Sequence, residues 1–273
     1  MKNKAILLMS LCIVAFASCS DDDKDSNNDG NNQPVNNTTP AGPQIFTSSG
    51  EENGHSYVDL ELPSGALWAT TNIGGALPQS YGQYFAWGET QIKTGYTWAD
   101  YQYGKDSIAI EKYCVDAAHG KDGFTDDKLA LELTGDAAHV QWGGSWVTPN
   151  ANLRQELFKE CYWEYTPNYN NSMVAGYIIY KPKHSADKGR VAVKGDETSD
   201  LYSLTDPHLF LPFAGFKAEG KIRYSGNRGV YITSSLYPEN SCRARGIAIK
   251  EDTTFTSQHP RYYGFTIRPV CFK

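Results

Sequence analysis

The chain has 273 residues, of which 13% are aromatic and 21% charged, with 25 Gly and 18 Tyr. That aromatic load excludes a collagen-like, coiled-coil or wholly disordered chain. The net charge of −6 argues against a general nucleic-acid binder, which presents a basic face, so no nucleic acid is expected as a partner.

The N-terminus reads as a processing signal. Lys2 and Lys4 precede an apolar run over residues 5–17. As a helix that run spans roughly 20 Å at ~1.5 Å per residue, too short for a bilayer core. Residues 1–18 are therefore expected to be a signal peptide. The segment Phe16-Ala17-Ser18-Cys19 resembles the lipobox of bacterial lipoproteins, which makes Cys19 the expected lipidation site. An ordinary signal peptide cut near Ser18 is the alternative. Residues 19–45 carry five Asp, one Lys and six Asn after Cys19, with little to bury, and read as a disordered tether. The acidic run Ser20-Asp21-Asp22-Asp23-Lys24-Asp25 resembles the export signal of surface-exposed lipoproteins in Bacteroidetes. The expected location is the outer membrane, exposed on the cell surface, with the membrane a partner through the N-terminal lipid.

Residues 46–273 suit a single globular domain. Within it Cys114, Cys161, Cys242 and Cys271 remain. None shows CxxC spacing, three disulfide connectivities are possible, and buried free thiols are equally compatible. Tyr57-Val58-Asp59-Leu60-Glu61-Leu62 alternates apolar and polar, Pro63-Ser64-Gly65 signals a turn, and Leu67-Trp68-Ala69-Thr70-Thr71 follows, together a hairpin. Residues 90–130 look irregular. Asp136 can cap a helix over 137–142 that Gly143-Gly144 stops, and Asn150 can cap a second running to about Cys161. In the second, Leu153, Leu157, Phe158 and Cys161 form one apolar stripe. Strands are expected over 174–181, 190–194, 209–212, 229–236, 242–250 and 262–272. One α+β domain is the simplest account.

Five ordered blocks carry a resemblance. They are 58–74, Tyr84-Phe85-Ala86-Trp87-Gly88-Glu89-Thr90, Asp136 through Trp146, Leu211-Pro212-Phe213-Ala214-Gly215-Phe216, and Gly264-Phe265-Thr266-Ile267-Arg268-Pro269-Val270. In order, they resemble the Fibrobacter succinogenes major paralogous domain family and its relatives among Bacteroidetes lipoproteins. The resemblance implies a C-type-lectin-like fold, shared with formylglycine-generating-like proteins and the variable proteins of diversity-generating retroelements. It implies two helices, several short antiparallel strands and long irregular loops, with residues 184–207 as an insertion.

No constellation of catalytic residues stands out, and no cofactor or metal site is expected. The six His are scattered, outside HExxH and away from any nucleophile motif. Asp122, Asp126 and Asp127 lack EF-hand spacing and read as a solvated loop. Glu156 and Glu160 lie off the apolar stripe of their helix. In the resembled variable proteins the C-terminal half displays the ligand-binding residues. Here it holds Arg223, Tyr224, Asn227, Tyr231, Tyr237, Asn240, Arg243, Arg245, Arg261 and Tyr262, types that suit adaptable recognition. The expected function is non-enzymatic binding of a glycan or protein ligand through this face. A structural or tip subunit of a surface assembly is the alternative, and a divergent formylglycine-generating-like enzyme a distant third.

Overall fold

The computed structural model describes residues 45–273. The expected signal peptide, Cys19 and the tether up to residue 44 lie outside the described residues.

In chain order the strands are β1 (Gly50–Glu52), β2 (His55–Asp59), β3 (Leu67–Ala69) and β4 (Phe85–Ala86). Helices α1 (Ala137–Trp142) and α2 (Ala151–Glu160) follow, then β5 (Tyr162–Thr166), β6 (Gly176–Tyr180), β7 (Val191–Ala192) and β8 (His208–Pro212). The chain continues as β9 (Phe216–Ala218), β10 (Lys221–Arg223), β11 (Arg228–Leu236), β12 (Arg243–Lys250), β13 (Thr253–Pro260), β14 (Gly264–Phe265) and β15 (Val270–Cys271). Among the described residues they form four sheets, ordered β1-β2-β3-β15, β10-β9-β14-β4, β11-β12-β13 and β7-β5-β6-β8.

This corrects the expected fold class. Strand accounts for 31% and helix for 12%, so the domain is sheet-dominated and not a C-type-lectin-like α+β fold built on two helices. The two helices exist at the expected places, but they are 6 and 10 residues long and act as struts between sheets. Their caps work as the sequence implies. The Asp136 carboxylate accepts from Ala138 N, and also from Thr148 N and Thr148 Oγ1, so one buried carboxylate starts α1 and ties it to the next segment. The Asn150 side chain accepts from Asn152 N and Leu153 N.

Two elements organise the core, because both of their faces are buried. Successive strand residues point to opposite faces. In β11 and β12, Val230, Ile232, Ala244 and Ala248 join one apolar cluster, with Trp87, Trp146 and Phe265. Tyr231, Ile247 and Ile249 join another, with Trp68, Leu157, Trp163 and Leu211. β2 and β3 repeat the pattern: Tyr57, Leu67 and Ala69 face the first cluster, Val58 and Trp68 the second. The closing strand β15 pairs with β3, Val270 opposite Trp68, which joins the C-terminal end of the domain to its first hairpin.

Two buried arginines replace regular structure where loops meet this core. Arg268 is 2% exposed and donates to Asn72 Oδ1 at 2.8 Å and to the carbonyls of Thr70, Ala69 and Pro78. Burial pushes its pKa down to about 10. Arg261 is fully buried and plays the same part for the 100–115 segment, as described below.

Candidate functional site

The expected binding residues do not share one surface. β11 and β12 form a long antiparallel ribbon that runs from Arg228 opposite Lys250 to Leu236 opposite Ala244. Its two ends are roughly 25 Å apart at ~3.3 Å per residue. Arg223, Tyr224 and Asn227 precede the first end; Tyr237, Asn240, Arg243 and Arg245 cluster at the second.

Three of the ten face inward or pack locally. Tyr231 is 5% exposed, lies in the core, and donates its hydroxyl to the Pro212 carbonyl at 2.9 Å. Arg261 donates through Nε to Tyr101 Oη (2.6 Å), through Nη1 to the carbonyls of Tyr113 (2.9 Å) and Ser241 (3.0 Å), and through Nη2 to Lys112 O (2.9 Å). Its guanidinium also lies 4.8 Å from the Trp87 ring centroid. Four of its five N–H donors are spent inside the protein and the side chain is fully buried, so Arg261 is a strut. Tyr262 is half-buried against Trp98, with ring centroids 4.6 Å apart. An alternating strand pattern cannot separate these from surface residues, because both faces of the ribbon are covered.

The second end of the ribbon is occupied with its own turn. Asn240 Oδ1 accepts from Cys242 N at 2.9 Å, Arg245 lies over the Tyr237 ring at 5.9 Å, and Arg243 Nη1 reaches Gln258 O at 3.5 Å. Arg223 pairs with Glu219 at 3.0 Å on the exposed β9–β10 hairpin.

The first end is different. Tyr224 and Asn227 line a cleft of about 340 Å³, together with Tyr165, Phe213, Arg228 and the β12–β13 turn residues Lys250, Glu251 and Asp252. Arg228 belongs to the expected Tyr-, Asn- and Arg-bearing stretch between residues 223 and 263, whereas Tyr165 and the turn lie outside it. The loop that carries Tyr224 is held from below. Gly226 N donates to Phe213 O at 2.7 Å, Gly215 N to Arg228 O at 2.7 Å, and Arg228 N to Tyr224 O at 2.9 Å. Tyr224 adopts φ +59°, a left-handed conformation that an aromatic residue rarely takes, and its side chain is 58% exposed. Gly215, at φ +67°, cannot be replaced without strain, since a Cβ there would strike the Arg223 carbonyl.

The cleft combines ring faces with polar groups. Tyr165 stacks on buried Phe213 at 6.0 Å between centroids, and the Arg228 guanidinium sits 5.2 Å from the Tyr224 ring. Arg228 Nε is buried and has no hydrogen-bond partner. Glu251 is paired with Lys194 at 2.9 Å, while Asp252 has no ion pair among the described residues. Two cations, Arg228 and Lys250, balance two carboxylates, so the cleft is near neutral. Burial, and then the Glu251 carboxylate, push the Tyr165 phenol up, which keeps it a neutral donor at physiological pH.

Other concavities offer less chemistry. A cavity of about 20 Å³ between Trp68, Arg154, Leu157 and Tyr231 is large enough for one water only. A groove of about 450 Å³ runs past Phe46, His55, Thr70, Leu77 and Tyr169, and no Asp, Glu, Lys or Arg lines it. Three of the five carboxylates weighed from the sequence are engaged structurally. Asp126 accepts from Tyr113 N and Cys114 N, both at 2.8 Å; Glu156 accepts from Ser64 N; Glu160 pairs with Lys188. No group of three or more His, Cys, Asp or Glu is placed to hold a metal among the described residues. Buried His208 lies between Tyr169 Oη (2.7 Å) and the Asp206 carbonyl (2.8 Å), an arrangement that fixes its ring and lowers its pKa by burial. The chain matches no family model, no curated protein and no solved structure.

Proposed function

We propose that this chain is a non-enzymatic binding protein, held at the outer surface of a bacterial cell by a lipid on Cys19, that takes a neutral glycan in the cleft between Tyr165, Tyr224 and Arg228. The observation that carries the reading is the composition of that cleft. Aromatic faces stack on the C–H faces of a sugar ring, while a few fixed polar groups take its hydroxyls. Arg228 brings its guanidinium to the cleft, and Asp252 a carboxylate with no ion pair among the described residues. Balanced charge disfavours a strongly anionic or cationic ligand. The lipobox-like Cys19, the acidic run behind it and the family-like ordered blocks support display at the surface.

The test is a glycan array probed with the full chain, followed by Tyr224→Ala. Binding to a neutral oligosaccharide that falls at least about tenfold in the variant supports the reading, a loss of ~1.4 kcal/mol or more. Array binding that Tyr224→Ala leaves unchanged, or turnover of the bound sugar, contradicts it.

A further inference from the structure

Between β4 and α1 the chain runs for about 50 residues with only isolated bridges and short 3₁₀ turns, far beyond the ~12–15 residues at which an unstructured connection is already uncommon. Something must hold this segment to the sheets. Hydrogen bonds do part of it: Arg261 grips Lys112 O and Tyr113 O, and Leu131 N donates to Ser234 O at 2.9 Å.

We propose that Cys114 and Cys242 close a disulfide that staples this segment to the base of the β11–β12 ribbon. The two cysteines are brought together by their neighbours. One nitrogen of Arg261 donates both to Tyr113 O and to Ser241 O, the carbonyls immediately before each cysteine. On the other side of Cys114, Val115 N donates to Ser241 Oγ at 3.1 Å. The two backbones are thus clamped side by side at the cysteines. Both side chains are buried, and with Ile110 they make up a small apolar cluster of their own, closed by Trp98. In the structure all four cysteines are free thiols, and within this cluster Cys114 Sγ donates to Asp116 O (3.2 Å) and Cys242 Sγ to Ser107 O (3.1 Å). Cys161 and Cys271 belong to the two large cores instead, one to each. The arrangement therefore favours a single bridge, Cys114–Cys242, and leaves Cys161 and Cys271 as separate thiols in different cores.

The step balances with a disulfide oxidant. A thiolate of the pair attacks the oxidant's S–S bond and forms a mixed disulfide. The second thiolate then displaces the oxidant's other sulfur, so that two thiols of the chain are oxidised and two oxidant thiols are released with the protons. Burial, helped by the Cys114 sulfur nearby, pushes the Cys242 thiol up to about 11. Thiolate is therefore scarce in the packed state, so the bond forms while the segment is still open, and once formed it is shielded from reductants. The pairing rests on this juxtaposition and is independent of the cleft; the bond forms only in an oxidising environment.

The experiment is reductive denaturation of the full-length chain and refolding with a mixture of oxidised and reduced glutathione, then denaturation, alkylation, digestion and mass mapping. The expected result is a peptide linking Cys114 to Cys242, with Cys161 and Cys271 alkylated. A map without the Cys114–Cys242 link, whether all six cysteines are alkylated or Cys114 is linked to any other cysteine, overturns the proposal. Thermal unfolding gives a second readout. A bridge across so long a loop raises Tm on the order of 10 °C over the reduced chain. The double variant Cys161→Ser/Cys271→Ser keeps that gain, and Cys114→Ser loses it. A double variant whose oxidised and reduced forms melt together overturns the proposal even if Cys114→Ser fails to fold.

Discussion

Replacing Arg261 by Met separates a strut from a recognition residue. The side chain is fully buried and makes four hydrogen bonds, to Tyr101 Oη and to the carbonyls of Lys112, Tyr113 and Ser241. Methionine fills similar space but donates nothing. Tyr101 Oη keeps a role by donating to Trp87 O at 2.8 Å, so the loss falls on the three carbonyls. A buried acceptor left unpaired costs about 1–3 kcal/mol. The guanidinium's own desolvation cost, several kcal/mol, is recovered in the variant and offsets part of this. The net is roughly 3–5 kcal/mol, three unpaired carbonyls less that recovery. For a domain of this size that lowers Tm on the order of 10 °C. Thermal unfolding followed by circular dichroism measures it. A variant that melts with the wild type but has lost ligand binding would refute the assignment and restore Arg261 to the recognition face.

Other outcomes follow from the same structure. Burial raises Tyr84, Tyr162 and Tyr169 to about 12, and all three rings are at least nine-tenths inaccessible. The unfolded chain releases these protons from about pH 10 and the folded chain does not, so stability falls as pH rises above 10, by up to ~1.4 kcal/mol per tyrosine at pH 11. Unfolding and phenolate absorbance should then appear together; phenolate signal that grows well before unfolding would contradict it. His259, packed near Phe216 and Phe265 with its Nε2 at Ser257 Oγ, is held down to about 4, first by burial and then by Arg243 and Arg228. Its folded value lies below its unfolded one, so it costs stability as pH falls from 6.5 towards 4, on the order of 3 kcal/mol. His259→Gln should flatten the Tm profile across that window, and an unchanged slope counts against it. Asn150→Ala removes the cap of α2 and should lower stability by about 1 kcal/mol in chemical denaturation, while Asn150→Asp should preserve most of it.

Local signals in the sequence carried a good part of the fold. The caps at Asp136 and Asn150 sit where their helices start, and the 57–71 hairpin pairs as its turn residues suggest, Tyr57 opposite Ala69. What local patterns do not contain is long-range pairing. β4, β7, β14 and β15 have two residues each, too few for any periodicity, and they exist only because distant partners receive them. β5 begins right after α2, so its aromatic run Tyr162-Trp163-Glu164-Tyr165 escapes notice behind the helix. β13 is Thr- and Ser-rich, half exposed, and reads as a polar loop. β4, β5 and β13 are missed, whereas β7 falls within the strand expected over 190–194 and β14 and β15 within that expected over 262–272; the added strands and the distant pairings turn an expected two-helix α+β domain into four sheets. The site was partly legible for the same reason. Tyr224 and Asn227, expected as binding residues by type, line the proposed cleft, whereas Arg261 and Tyr231 share those types and serve the interior. The cleft's other walls, Tyr165 and the 250–252 turn, come from elements far apart in the chain.

The central claim is that recognition belongs to the cleft end of the β11–β12 ribbon. Isothermal titration of an array-selected neutral oligosaccharide against three proteins tests it most directly: wild type, Arg228→Met at the cleft, and Arg243→Ala at the far end. The account predicts at least about tenfold weaker binding for Arg228→Met and wild-type affinity for Arg243→Ala. Intact binding in Arg228→Met, with loss in Arg243→Ala, would contradict it.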